Sequence, residues 1–226
     1  MCIRDRHVRR VTSVAIDPAR LSVASARRLM WRHPEWWSIA LSLAAWIALL
    51  SLPRHSASHQ STAINLIFWL LMVVAMMFPL VMAQVRQAAF HSLWSRRHRA
   101  IGVFLTGYML PWLAFGALFI FVQGELPVDS RASVMIVAIL IAAAWQASPS
   151  KRRALSRCHR IMPLAPSGWR ANRDSVRFGW RIGTACVSAC WALMLVCAVS
   201  DHGIVAMCAA TIVAIYDRTG VVRLSR

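Results

Sequence analysis

Acidic side chains are scarce in this 226-residue sequence: eight Asp and Glu stand against 26 Lys and Arg, and Lys151 is the one lysine. Charged residues of both signs amount to 15%, where a soluble domain carries about a quarter. None of the eight acids falls inside a long apolar run. Membrane proton pumps keep ionisable groups at depth, so a carboxylate proton relay is not expected. A Walker-type loop, an HExxH helix and a GxSxG elbow are also missing. With no pattern for acid–base or nucleophilic catalysis, the chain reads as a non-enzyme without catalytic or organic-cofactor residues.

Apolar residues fill the space that charge leaves: 58% are hydrophobic and the mean hydropathy is +0.54. Crossing a hydrocarbon layer takes about 20 apolar residues in a helix. Six runs qualify: Trp36–Leu52, Thr62–Ala83, Ile101–Val122, Ala132–Ala147, Thr184–Ser200 and Gly203–Tyr216. The last two are short and separated only by Asp201 and His202. The fold class expected is therefore all-α, a polytopic transmembrane helix bundle of about six helices.

The net charge of +18 would suit nucleic acid if the cations gathered on a soluble face. Instead they alternate with the apolar runs. With the N-terminus inside, 24 of the 26 Lys and Arg fall on the cytoplasmic side. Lys/Arg bias sets topology, so both termini are expected in the cytoplasm and the protein in the cell inner membrane. Juxtamembrane cations also imply contact with anionic lipids. The segment from Ser150 to Gly183 has few aromatics for stacking bases, and nucleic acid is not an expected partner.

The organisation follows. Residues 1–35 form a basic cytoplasmic segment whose opening MCIRDR looks foreign, so Cys2 is given no role. No cleavable signal is evident there, and the first helix would act as an uncleaved anchor. Residues 36–217 form the membrane domain, with a basic cytoplasmic loop at 148–183, and 218–226 form a basic tail. Trp36, Trp37, Trp94, Trp112, Trp169 and Trp180 fit the headgroup zone. Gly107 and Gly116 would allow close helix approach, and Pro79 and Pro111 should kink their helices.

Sulfur is what lies at depth. On the second run Met72 and Met76 share a face with Trp69 and Pro79, while Met77 points about 100° away from its neighbour. On the fifth run Cys186, Cys190, Met194 and Cys197 keep to one side. Counting from the inner ends, Met76 matches Cys190 in height and Met72 matches Met194, to about one helical rise. If these helices touch, two sulfur stripes face each other, and thiolate and thioether ligands select Cu(I). Met72, Met76, Cys186, Cys190 and Met194 are the candidate ligands, with Met77 and Cys197 as secondary ones. The alternative is plain packing, because Met fills gaps and buried Cys behaves as a small hydrophobe. A Cys186–Cys190 disulfide is not expected away from an oxidising compartment. Secondary candidates elsewhere are His55 and His59 in the first external loop, His202 at the last turn, and Cys158 beside His159 in the basic loop.

Four blocks together resemble a bacterial family of predicted metal-binding integral membrane proteins, for some of which copper delivery is suggested. They are Trp69, Met72, Ala75, Met76, Met77 and Pro79; Gly107, Tyr108, Trp112, Phe115 and Gly116; Gln146, Pro149 and Lys151 leading to Cys158; and Cys186, Cys190, Trp191, Leu193 and Met194. The chain departs from that pattern at Ala154 and Ala189, where the family carries cysteine. The resemblance implies a copper-handling membrane protein with a copper-receiving protein as partner. Two other functions stay open: a metal-free membrane scaffold or assembly partner, and a small-molecule permease.

Overall fold

The computed structural model describes residues 36–52, 61–125, 131–158, 160, 162–165, 167–200 and 203–224. His55, His59, His202 and His159, Cys2 and the basic segment 1–35 lie outside the described residues. Among those described, every regular element is helical: α1 Trp36–Ser51, α2 Thr62–Met77, α3 Met82–Phe90, α4 Arg97–Glu125, α5 Arg131–Ala147, α6 Pro149–Cys158, α7 Gly168–Val199 and α8 Ile204–Leu224. Short 3-10 turns at Pro79–Val81 and Trp94–Arg96 link α2 to α3 and α3 to α4.

Two helices, α4 and α7, are long and apolar enough to cross a membrane. The count rises to four if each bent pair acts as one span, α2 with the segment through α3 at 45° and α5 with α6 at 71°. Both bends sit at prolines, Pro79 and Pro149, which lack the donor a continuous helix needs. The first expected run lies on the 16-residue α1, which is apolar but short. The sixth lies on α8, which runs on through Asp217 and Arg218 to Leu224, so much of the expected tail at 218–226 is helix.

The basic segment at 148–183 is also largely helical. α6 takes up its first part, and α7 begins at Gly168, well before the expected start at Thr184. With 32 residues α7 is about 48 Å long, against a hydrocarbon layer of about 30 Å. Its arginine-bearing N-terminal half extends past the apolar half. Composition marked where the apolar part starts, and helix propensity carried the backbone further, since Arg and Ala favour the helix.

α4 and α7 form the principal pair and run parallel. Glycines set their approach. A Cβ at Gly179 would run into the carbonyl oxygen of Phe104, one at Gly107 into that of Val176, and one at Gly183 would lie 2.6 Å from that of Tyr108. Gly116 leaves room for the indole of Trp69 on α2. Close approach was expected at Gly107 and Gly116, and Gly179 and Gly183 supply the matching gaps. α2 packs on α1 and on α4. Trp112 is not an interfacial anchor: it is fully buried, and its carbonyl accepts a 3.0 Å hydrogen bond from Trp69 Nε1. A ring inside a bundle gains more from stacking than from the headgroup zone, and Trp69 also stacks on Phe119. Trp169, by contrast, is 79% exposed.

The N-terminal ends of α1, α4 and α7 meet on one side. Trp37 Nε1 donates to His98 Nδ1 at 3.0 Å, and Arg96 donates to the Gly168 carbonyl and, at 2.7 Å, to Asn172 Oδ1.

Candidate metal centre

α7 presents Cys186, Cys190, Met194 and Cys197 to the interior; all four are buried, and the three cysteines are free of any disulfide. Steps of four, four and three residues keep them on one helix face. α2 brings Met72, Met76 and Met77 into the same core, each fully buried. Each of these two helices packs on α4, α7 extensively so. They meet through sulfur at the last residue of α2, where Met77 Sδ lies 3.9 Å from Cys186 Sγ. Pro79 ends the regular helix just beyond.

Cys186 is the centre of this arrangement. Cys190 follows one turn on, on the same face of α7 and also buried. Tyr108 of α4 donates its hydroxyl to Cys186 Sγ at 3.1 Å. Arg218 of α8 approaches the same sulfur at 3.8 Å and also donates to the carbonyl of Leu80 in the 3-10 turn. Cys158, at the end of α6, is buried near the same guanidinium. Its carbonyl accepts a 2.8 Å bond from Gln84 of α3. α2, α4 and α8 thus each bring a side chain to Cys186 of α7.

Among the described residues no three His, Cys, Asp or Glu side chains meet as a ready metal site. A soft ion would therefore have to combine thiols with a thioether. That set suits Cu(I), whose preference is for polarisable sulfur, and not a hard cation that needs carboxylates. Met72, Met76 and Met194 share the core with this pair, as does Cys197.

Sequence reasoning passed over three members of the surroundings. Tyr108 was noted only as part of a glycine-containing block, and Arg218 only as a tail charge. Lys151, noted only as the one lysine and as part of a block with Gln146 and Pro149, is 2% exposed, is paired with Asp217 of α8 and donates to Gln146 Oε1. A single lysine among 26 basic residues was the available signal for it.

A family of proteins described as copper chaperone, PpoB2, matches residues 66–223, a stretch that contains every one of the groups just described. No curated protein and no solved structure matches the chain. With well over half its length covered, the chain belongs to the PpoB2 copper chaperone family.

Proposed function

We propose that this protein is an integral membrane protein that binds Cu(I) between α2 and α7 and hands it to a receiving protein by ligand exchange, without chemical turnover. The observation that carries this reading is the contact of a buried thiol, Cys186, with a buried thioether, Met77, in a member of a copper chaperone family. Cys186, Cys190 and Met77 are the ligands favoured by geometry. Met72, Met76, Met194, Cys197 and Cys158 are the sulfurs to which the ion can be passed, since they occupy the same core. Cu(I) moves readily between soft ligands when each new Cu–S bond forms as an old one breaks.

We further take the six apolar runs as spans with both termini cytoplasmic, in contact with anionic lipid in the cell inner membrane. The gathering of the N-terminal ends of α1, α4 and α7 on one side supports that orientation, because Arg96, Arg97 and Arg99 stand at the start of α4 and Arg170, Arg173, Arg177 and Arg181 on the first half of α7.

The test is copper content of the full chain, purified in detergent after growth with added copper. Wild type should retain about one copper per chain. Cys186→Ser combined with Met77→Leu should lose it. Equal retention in wild type and variant would end the proposal.

A further inference from the structure

A cavity of about 270 Å³ opens between α6 and α7. It is lined by Arg157, Arg160, Arg181 and Met162, with Phe178 and Ile182 as its apolar floor. No described carboxylate pairs with any of the three arginines; Arg181 instead donates to Met162 Sδ at 3.4 Å. Thr184 and Ser188, also in the lining, spend their hydroxyl hydrogens on carbonyls of α7, leaving their oxygens as acceptors. The cavity lies one layer from the thiols. Ala154 and Ile182, two lining residues, sit one turn before Cys158 and Cys186 on the same helix faces.

Three guanidinium groups repel a bare Cu⁺ and attract an anion. A lipid phosphate would use the charges but has no use for a thioether in the wall. A peptide-like thiol uses all of it: carboxylates for the arginines, N–H groups for the hydroxyl oxygens, and a Cu(I)-bearing sulfur beside Met162. We propose that this cavity docks a small peptide thiol carrying at least two carboxylates, which exchanges Cu(I) with the Cys158/Cys186 side of the centre. This rests on the copper-binding reading above. In the exchange, the Cu–S bond to the carrier breaks as a Cu–Sγ bond forms. The proton of the receiving thiol passes to the carrier sulfur, and copper remains Cu(I) throughout.

The experiment compares Cu(I) transfer to the full chain from glutathione, which is anionic, and from cysteamine, which is cationic. Wild type should accept from glutathione at least about tenfold faster at low salt, as charge steering allows. The gap should shrink at high salt, where the screening length falls to about 3 Å. Arg157→Glu/Arg181→Glu should reverse the preference, and Arg157→Lys/Arg181→Lys should keep it. Equal rates from the two carriers, or a preference unchanged by charge reversal, would overturn the proposal. If the chain takes copper from neither carrier, the copper-binding reading has failed. The cavity is then judged by titration with copper-free glutathione: binding lost in the Glu variant supports it, and binding absent or equal in both overturns it. Displacement of glutathione by phosphatidylglycerol micelles would also overturn it and assign the cavity to lipid headgroups.

Discussion

Cys186 Sγ and Met77 Sδ lie 3.9 Å apart although 109 positions separate them in the chain. Met77 is the last residue of α2, and the chain bends by 45° just beyond it, at Pro79. Met76 and Met77 lie about 100° apart on α2, and it is the face bearing Met77 that meets Cys186. If Cys186 is the anchor, Cys186→Ser should abolish copper retention, whereas Met77→Leu should weaken it roughly tenfold by removing one soft ligand and keeping the packing. Chelator competition on the purified variants measures both.

The hydroxyl that Tyr108 places 3.1 Å from Cys186 predicts a separate effect. Partners that orient a metal ligand typically carry about 10- to 100-fold in affinity. Tyr108→Phe should weaken Cu(I) retention by at least about tenfold and leave the thermal midpoint close to wild type. A variant that keeps full affinity would remove Tyr108 from the account.

Helix packing makes its own prediction at Gly179. A methyl group there has no room beside the Phe104 carbonyl, and backbone cannot step aside as a side chain can. Gly179→Ala should destabilise the detergent-solubilised protein by about 2 kcal/mol or more, the range in which overpacking acts. Gly102→Ala, at an open position inside α4, should not destabilise and can add up to about 1 kcal/mol through helix propensity. Thermal unfolding of the two variants side by side makes the comparison.

The buried pair of Lys151 and Asp217 joins α6 to α8. Removing one partner of such a pair costs about 3–5 kcal/mol because the other charge is left unpaired, while replacing both is far milder. Lys151→Met alone should therefore unfold more readily than Lys151→Met/Asp217→Asn. The reverse order in a thermal scan would mean that the pair is not structural.

Much of the helix content was legible in the sequence, because a 20-residue apolar run between arginines has few other solutions. Where helices continue into polar sequence was not: the first half of α7 is basic, and hydropathy has no signal for a helix that leaves the apolar layer. At the centre, the spacing of Cys186 and Cys190 on one face could be read directly. That Met77 is the sulfur meeting Cys186 could not, since the rotation of α2 about its axis relative to α7 is set by tertiary packing. Arg218 and Tyr108 were invisible for a different reason, because they reach Cys186 only through tertiary packing of α8 and α4. The tryptophans divide in the same way: Trp169 is exposed, whereas Trp112 sits inside, where the neighbours on α2 decide its place.

X-ray absorption at the copper edge of the Cu(I)-loaded full chain tests the central claim most directly. The account predicts a first shell of sulfur alone in wild type and a shell with fewer sulfurs in Cys186→Ser. A shell dominated by nitrogen or oxygen, or one unchanged by the substitution, would contradict it.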